Sequence, residues 1–488
     1  MAPPQPLRLR HLHLPSLHPH YVPYTLASRV QEHLRREHLA FKDAAAHQDG
    51  GVSSRPPSPP PPALISFTPS PIFTLGRRQT APLTRGELAR LTAPLEIAPP
   101  PPFAGLRGAP APTAAPALAP APAQAQAQAQ AHVPSQARAR TAGQGTLPAP
   151  PSHPHPRVLA SPRGGLTTYH GPGQVVLWPV IDLRAVGPEA AAAAAARLSC
   201  CAPAGLRGGG GGLTVRTYAR LLETTTAAVL GRAFGLEAVT TEDPGVWVVR
   251  QPLLQRRQQQ QLQQEGAGAE AEIGEAGSKE LAKIAALGVH LRRHITALGT
   301  ALNVALPGTD SRGDGGGNGS GDERTNPWSR FVACGLAGKG VTSVAGELAR
   351  RARKHGPAAA AAATATVNAA GDLFRGGVEL LDEMLLRQQR FGAEEARTRE
   401  QAVADAWAEE FARGIGLEHD GRGSGAVERV GTEEVLGLME RLVRSAQEQG
   451  GKQAGHDEEG EGGADAAEHL GEELEYLDSI RRLLGVGA

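Results

Sequence analysis

Tracts of simple sequence divide this chain into short pieces, and this division constrains its fold more than any other feature. The longest tract runs from about 98 to 156 and contains APPPPFAG and QAQAQAQAQA. Further insertions are expected at about 187–212, 251–279 and 308–325, where runs of alanine, glycine or glutamine dominate. Such compositions bury too little apolar surface to offset the entropy of ordering a chain. These insertions are therefore predicted to be disordered.

The pieces between the insertions are predicted to form one α/β (α+β) domain. A chain of 488 residues would by length suggest about three domains. Each piece is nevertheless too short to bury a core alone, whereas lengthening a surface loop costs little free energy. We therefore expect one large domain over residues 1–350 and a C-terminal extension over 351–488.

Apolar periodicity predicts the elements of this domain. LASRVQEHLRREHLAF has apolar spacing near 3.6 and predicts a helix, and YARLLETTTAAVLGRAFGL is also amphipathic. In the C-terminal extension, LFRGGVELLDEML, AWAEEFARGIG and EEVLGLMERLV predict helices, and the acidic glycine-rich tract after Gly450 predicts disorder. Runs of strand character are ALISFTPSPIFTLG, VVLWPVIDL, PGVWVV, KIAALGVHL and ITALGTALNVAL.

Charge and cysteine content exclude several functional classes. The formal net charge is +1, so the composition predicts neither a nucleic-acid surface nor a polybasic membrane patch. No stretch approaches the ~20 apolar residues that a membrane span needs. The three cysteines are an odd number with Cys200 and Cys201 adjacent, which argues against a disulfide framework and for a reducing compartment.

The N-terminus allows two interpretations. MAPPQPLRLRHLHLPSLHPHYVPY lacks acidic residues and carries arginine and histidine, as mitochondrial transit peptides do. The alternation in LRLRHLHL is also typical of a strand, which would place this segment in the fold.

Three features could carry chemistry. Cys334, in FVACGLAGKG, would be a nucleophile if a nearby cation populated its thiolate, but an isolated cysteine is more often a small buried hydrophobe. Lys283, in LAKIAALGVHL, could supply that cation, although most lysines reach solvent. The loop RGGLTTYHGPGQ could bring the backbone close to a ligand through Gly164 and Gly165, or it could be only a tight turn.

Taken together, these motifs resemble one family. RGGLTTYHGPGQVVLWPVIDL, DPGVWV, KIAALGVHLRRHIT, ALNV and ACGLAGKGVTS, in this order, are similar to the octanoyl-acyl-carrier-protein:protein octanoyltransferases of lipoate biosynthesis. Weaker similarity extends to YTLASRVQ and PIFTLGR before them and to AWAEEFARGIGL after them. The resemblance implies a mixed sheet flanked by helices, like that of lipoate- and biotin-protein ligases, with long disordered insertions and extra C-terminal helices.

The resemblance also implies a chemistry. Cys334 would accept the octanoyl chain from a carrier-protein thioester, Lys283 would lower the pKa of that thiol, and the amine of a lipoyl-domain lysine would then attack the acyl-enzyme. A thiolate suffices against a thioester, so no cofactor or metal is expected. The residues that the resemblance places around the substrate are Arg163, Gly164, Gly165, Leu166, Thr167, Thr168, Tyr169, His170, Ala286, Leu287, Gly288, Gly299, Thr300 and Ala301.

The implied partners are octanoyl-acyl-carrier protein as donor and two kinds of acceptor. These acceptors are the lipoyl domains of 2-oxoacid dehydrogenase E2 subunits and the glycine cleavage H protein. Their usual home implies the mitochondrial matrix. Neither nucleic acid nor a membrane is expected as a partner.

The sequence departs from the family pattern at two places. Thr68 and Pro69 stand where the family commonly has Glu-His, and Leu298-Gly299 stands where it commonly has His-Gly. The second change removes an imidazole near the expected active centre but leaves Cys334 and Lys283 in place.

Two other functions remain compatible with the sequence. An ATP-dependent lipoate- or biotin-protein ligase would share the glycine-rich loop, but such ligases commonly have Asp and Asn at the positions of Gly171 and Gln174 and need no cysteine at Cys334. A non-catalytic protein that binds lipoyl domains or carrier protein would fit the replaced histidine and the long insertions.

Overall fold

The computed structural model describes ten ranges of the chain. They are 7–47, 58–96, 154–186, 212–250, 280–306, 322–331, 340–351, 399–417, 425–453 and 461–486. Cys334, most of the expected insertions and the predicted helix LFRGGVELLDEML lie outside the described residues.

Strands from almost the whole length of the chain combine into two sheets. The strands are β1 (Leu9–His13), β2 (Ala63–Phe67), β3 (Ile72–Leu75), β4 (Arg157–Ala160), β5 (Thr167–His170), β6 (Gln174–Val180), β7 (Ala238–Thr240), β8 (Val246–Arg250), β9 (Glu280–Arg292), β10 (Ile295–Asn303), β11 (Gly340–Val341) and β12 (Val427–Arg429). The larger sheet has nine strands in the order β12-β1-β2-β6-β10-β9-β8-β7, with β11 also paired to β9, and the smaller has the order β4-β3-β5.

The large sheet is mixed. β1 pairs in parallel with β2 and β12, and β11 pairs in parallel with β9, whereas β2, β6, β10, β9, β8 and β7 pair antiparallel in that order. All residues of β2, β6 and β10 are buried, because helices cover both faces of the sheet. Buried strands of this kind read as continuous apolar runs, which is why the sequence predicts them.

Helices form a layer on each face of the large sheet. The helices are α1 (Tyr24–Ala46), α2 (Arg85–Thr92), α3 (Val215–Phe234), α4 (344–351), α5 (Arg399–Gly414), α6 (Thr432–Gln453) and α7 (Glu461–Leu484). On one face α3 packs with α5, whose Trp407 and Phe411 are part of the core. On the other face α1, α6 and α7 form a second core, which includes Met439 of α6 and Tyr476 of α7. The expected α/β class, a mixed sheet flanked by helices, is confirmed.

Local signals fix where the helices begin and end. Thr84 and Glu87 form a capping box at the start of α2, with the Thr84 hydroxyl accepting a hydrogen bond from the Glu87 N–H. Thr214 caps α3 by accepting from the Thr217 N–H, and α3 ends at Gly235 in the left-handed conformation.

The segment LRLRHLHL belongs to the fold. Its residues Leu9–His13 form β1, and Leu9 and Leu12 are buried. The strand interpretation of the N-terminus is therefore confirmed for these residues.

The prediction of disorder after Gly450 is wrong for residues 461–484, which form α7. Glycine and acidic residues dominate the composition there, but Tyr476, Leu477 and Ile480 recur at helical spacing and are buried in the second core. The helix therefore forms because of this apolar stripe, and the average composition of the segment is not a sufficient guide to its structure.

None of the helices within the described ranges is both long and apolar enough to cross a membrane.

Candidate active site

A cavity of about 550 Å³ lies where the loop before β5 meets β9 and β10. This volume is within the range of about 300–1,000 Å³ that is usual for small-molecule sites. The predicted site residues that line it are Arg163, Gly164, Gly165, Leu166, Thr168, His170, Lys283, Ala286, Leu287, Gly288, Gly299, Thr300 and Ala301. Segments far apart in the sequence thus contribute to one enclosure.

Thr167 and Tyr169 do not line this cavity. Successive side chains of a strand point to opposite faces, so Thr168 and His170 face the cavity while Thr167 and Tyr169 face away. Tyr169 is fully buried, with its ring centroid 5.2 Å from that of Phe73 and 6.0 Å from that of Trp328. Its position is that of a core residue beneath β5.

Both described ends of the segment that carries Cys334 border the cavity. On one side Trp328 lines the cavity and packs on Phe331, and on the other Val341 lines it and pairs with Lys283. Cys334 itself lies outside the described residues.

Lys283 lies on β9 with its side chain at the cavity. Its Nζ lies 4.8 Å from the centroid of the Trp247 ring, a distance at which the ring face attracts a cation. The carbonyl oxygen of Lys283 accepts a hydrogen bond from the Thr342 N–H at 2.9 Å, which fixes β11 against this part of β9.

Glu223 of α3 is a buried carboxylate whose pKa is affected by the Lys283 charge. Burial raises the pKa of Glu223, while the Gly245 N–H, Arg220 and Lys283 each lower it. The Gly245 N–H donates to Glu223 Oε1 at 3.0 Å, and Arg220 Nη1 donates to Glu223 Oε2 at 2.8 Å. The Lys283 ammonium thus lies over an aromatic ring, and its charge lowers the pKa of the buried Glu223.

Arg163 is a buried cation in the cavity wall. Its Nη2 donates to the Thr74 carbonyl oxygen at 2.6 Å and to Thr74 Oγ1 at 2.9 Å, and its Nη1 donates to the Gly164 carbonyl oxygen at 3.1 Å. These bonds hold the loop RGGLTTYHGPGQ against β3.

His170 is neutral at physiological pH. Burial lowers its pKa to about 4 and Arg163 lowers it further, while the bond to Gln174 opposes them. The ring stacks on Tyr24 with centroids 5.9 Å apart. The imidazole is therefore a hydrogen-bonding group here and a weak base.

Two glycines face each other across β9 and β10 at the floor of the cavity. Gly288 pairs directly with Gly299. A Cβ at Gly299 would lie 2.3 Å from the Leu177 carbonyl oxygen, and a Cβ at Gly288 would lie 2.8 Å from Cδ of Arg163. The glycines of the ALG and LGT motifs thus permit close approach of backbone on one strand and of Arg163 on the other.

Leu298 lies at the cavity in a left-handed conformation, with φ of 60°. This backbone geometry is uncommon for a branched apolar residue and is held in place by a hydrogen bond from its N–H to Gln31 Oε1 at 3.1 Å. The position where the resemblance expects a histidine therefore presents an apolar side chain to the cavity.

Several cavity residues are not among those that the sequence predicts. Asp243, Pro244 and Asn303 stand inside the quoted motifs DPGVWV and ALNV, so a signal for them was present. Tyr24 and Trp178 also stand inside quoted segments, YTLASRVQ and VVLWPVIDL, but the packing of α1 on β6 that brings them to the cavity has no local signal.

Curated relatives match about two fifths of this chain. A probable octanoyltransferase from Schizosaccharomyces pombe is 31% identical over 191 residues, covering 39% of this chain and 54% of the relative. A mitochondrial octanoyl-acyl-carrier-protein:protein N-octanoyltransferase from Danio rerio is 30% identical over 188 residues, covering 38% of this chain and 51% of the relative. The resemblance to octanoyltransferases is confirmed. The chain spans about half the length of these relatives, and no family model matches it.

Solved structures with some likeness to the chain include lipoate-binding proteins. The P. falciparum protein LipL1 in complex with lipoate has a TM-score of 0.31 at 7% identity, covering 89% of this chain and 70% of that one. The protein Ta0514 from Thermoplasma acidophilum with bound lipoic acid has a TM-score of 0.30 at 9% identity, covering 90% and 95%. The fold class rests on the strand order and helix layers described above.

Proposed function

We propose that the protein transfers an octanoyl group from octanoyl-acyl-carrier protein to a lysine of a lipoyl domain through a thioester on Cys334. The observation that carries this proposal is the shared cavity. It combines the loop from Arg163 to His170 with Lys283 and the glycines of β9 and β10, and both described flanks of Cys334 border it. The similarity to proteins named octanoyltransferases supports the same reaction.

The proposed chemistry needs one thiolate and one amine. The Lys283 ammonium stabilises the Cys334 thiolate, which attacks the thioester carbonyl of the donor. The thiolate of the carrier leaves and takes a proton from Lys283, which becomes a neutral amine. The acceptor lysine then attacks the acyl-enzyme, its proton passes to Lys283, and the Cys334 thiolate leaves, which restores the starting state.

The cavity suits an eight-carbon acyl chain. Leu287, Val289 and Leu298 supply apolar walls, and the cations Arg163 and Lys283 are also present. Each buried methylene contributes about 0.8 kcal/mol, so neighbouring chain lengths differ only by a modest factor per carbon.

Donor, acceptor and location follow from the same proposal. The donor is octanoyl-acyl-carrier protein, and the acceptors are the lipoyl domains of 2-oxoacid dehydrogenase E2 subunits and the glycine cleavage H protein. We place the reaction in the mitochondrial matrix, because relatives from Danio rerio and Xenopus tropicalis are named mitochondrial. Thioester exchange needs no nucleotide and no metal ion.

The test compares two substrate mixtures with the same lipoyl domain. One holds octanoyl-acyl-carrier protein without ATP, and the other holds free octanoate with ATP and Mg²⁺. We expect an octanoylated lipoyl domain, detected by mass spectrometry, only in the first. Product only in the second mixture would establish a ligase, and binding of the lipoyl domain without product in either would establish a non-catalytic binder.

A further inference from the structure

A chain of buried amide side chains connects His170 to the backbone beside Lys283. His170 Nδ1 lies 2.7 Å from Gln174 Oε1, Gln174 Nε2 donates to Asn303 Oδ1 at 2.9 Å, and Asn303 Nδ2 donates to the Thr342 carbonyl oxygen at 2.9 Å. Gln174, Asn303 and Thr342 are each at most 3% exposed. Water therefore has little access to this relay.

The Thr342 carbonyl, at one end of the relay, fixes which way the two amide groups are turned. A backbone carbonyl can only accept, so Asn303 must turn its amide nitrogen towards Thr342 and its oxygen towards Gln174. Gln174 then turns its nitrogen towards Asn303 and its oxygen towards His170. Reversing either amide would set donor against donor or acceptor against acceptor in a buried place.

The Thr342 carbonyl is itself held by the proposed active site. Its N–H donates to the Lys283 carbonyl oxygen at 2.9 Å, so the pairing of β11 with β9 sets the position of the residue. The orientation of His170 is thus tied to the strand that carries Lys283.

From these contacts we infer that Gln174 and Asn303 are positioning residues that fix His170 as the Nδ1–H tautomer. This leaves Nε2 as a hydrogen-bond acceptor in the cavity for the incoming lysine amine. The inference rests on the proposed function for the identity of that amine. His170 lines the cavity, and within the described ranges its Nε2 has no hydrogen-bond partner.

The depressed pKa of about 4 decides between two roles for the imidazole. Desolvation and the nearby Arg163 cation keep the ring neutral, so it is too weak a base to retain the proton of an attacking amine. It can accept one N–H of that amine and thereby direct the nitrogen lone pair towards the thioester carbonyl. The proton itself passes to Lys283.

The tautomer can be measured without any activity. In protein labelled with ¹⁵N-histidine, the His170 resonances are assigned by their loss in His170→Gln. We expect a protonated Nδ1 and an unprotonated Nε2 at neutral pH. Gln174→Leu removes the acceptor and is expected to populate the Nε2–H tautomer, which is the commoner form of free histidine in water. Gln174→Glu retains an acceptor for Nδ1 and is expected to keep Nδ1 protonated, but its second oxygen faces Asn303 Oδ1 and its charge raises the pKa of His170.

Two further variants test the relay beyond Gln174. Asn303→Leu removes the group that orients the Gln174 amide and is expected to give a mixture of tautomers. Thr342→Val is the matched control, because it removes only the hydroxyl that donates to Glu347 Oε1 and keeps the carbonyl, so the tautomer is expected to stay unchanged. A thermal melt shows which variants are folded. If Asn303→Leu does not fold, the comparison of Gln174→Leu with Gln174→Glu still tests the inference.

Single-turnover kinetics separate this role from a structural one. In Gln174→Leu we expect octanoyl loading of Cys334 at the wild-type rate and transfer to the lipoyl domain slowed at least ten-fold, with partial rescue in Gln174→Glu. Wild-type His170 in the Nε2–H form, or an unchanged tautomer in Gln174→Leu, would overturn the relay. An octanoyl adduct missing from the wild type would instead contradict the proposed function and leave the tautomer result intact.

Discussion

At the scale of single residues, the surroundings set the charge of a few groups in the cavity. Lys283 lies over the Trp247 ring and near the buried Glu223, and it pairs with the strand that follows the Cys334 segment. His170 is buried beside Arg163. The surroundings thus stabilise the charged form of Lys283 and keep the imidazole of His170 neutral.

Replacing Lys283 with alanine is expected to raise the pKa of the Cys334 thiol by about one unit or more, because a nearby cation stabilises a thiolate. The measurement is the rate of iodoacetamide alkylation of the Cys334 peptide against pH, followed by mass spectrometry. Lys42→Ala is the control, since Lys42 is paired with Asp182 away from the cavity. An alkylation profile that Lys283→Ala leaves unchanged would refute the proposed role.

His170 is expected to make folding stability depend on pH. Its pKa is lowered from 6.5 to about 4, so the unfolded chain binds more protons than the folded one between these values. Its contribution is therefore fully present above pH 6.5 and is lost as the pH falls towards 4. In His170→Gln, the loss of unfolding free energy between pH 7 and pH 4.5 should be smaller by about 2 kcal/mol. Urea unfolding measures this loss, and an equal loss in both proteins would contradict the explanation.

At the scale of elements, the paired strands β9 and β10 build the floor of the cavity. They meet in a two-residue turn at Arg293 and His294, both with positive φ, and bring Gly288 opposite Gly299. Gly299 faces the backbone carbonyl of Leu177, and Gly288 faces the side chain of Arg163. The same substitution should therefore have different effects at the two positions.

Gly299→Ala is expected to destabilise the protein by about 3 kcal/mol or more, because its Cβ would meet the Leu177 carbonyl oxygen at 2.3 Å. Gly288→Ala should cost less, about 1–2 kcal/mol, because its Cβ meets side-chain atoms of Arg163, whose shift strains the buried hydrogen bonds to Thr74. The displaced guanidinium should slow octanoyl transfer about ten-fold. Urea unfolding and transfer assays on both variants provide the comparison. Equal losses of stability would show that the close approach at Gly299 has been overestimated.

The sequence predicts these elements well where burial is continuous or periodic. The apolar runs at β2, β6 and β10 and the 3.6 spacing in α1 are local signals. The short strand β12 joins β1 from more than four hundred residues away, a pairing that no local pattern contains. The glycines and acidic residues of α7 predict disorder, although the regular apolar stripe of the same segment predicts a helix.

The candidate site is predictable to a similar extent. The motif residues on β5, β9 and β10 come together in one cavity. Pairing aligns β9 with β10, whereas β5 belongs to the smaller sheet and lies beside them because a short turn joins it to β6, the neighbour of β10. Alternation along β5 separates Tyr169 from His170, which a contiguous motif cannot show. The relay through Gln174 and Asn303 depends on the direction of two amides, which only the three-dimensional hydrogen bonds reveal.

At the scale of the whole molecule, the C-terminal extension is joined to the rest by packing. β12 extends the large sheet, α5 packs on α3, and α6 and α7 pack on the face that α1 covers. We therefore propose that the described part of 351–488 supports the domain over 1–350.

Trp407 tests this support directly. It is fully buried, stacks on Phe411 with centroids 4.9 Å apart, and donates from Nε1 to Thr226 Oγ1 at 3.0 Å. Trp407→Ala should lower the unfolding free energy of the whole domain by about 3–5 kcal/mol, whereas the partly exposed Leu474→Ala should change it by less than about 1 kcal/mol. Urea unfolding followed by far-UV circular dichroism measures both. If the unfolding midpoint of Trp407→Ala stays at the wild-type value, the extension does not support the domain.

The central claim is that Cys334 carries the octanoyl group, and intact-mass analysis tests it most directly. The wild-type protein and Cys334→Ser are each mixed with octanoyl-acyl-carrier protein, without ATP and without a lipoyl domain. We predict a mass increase of one octanoyl group on the wild type, lost again when a lipoyl domain is added, and no increase on Cys334→Ser. A wild-type protein that gains no mass, or a variant that gains the same mass, would contradict the claim.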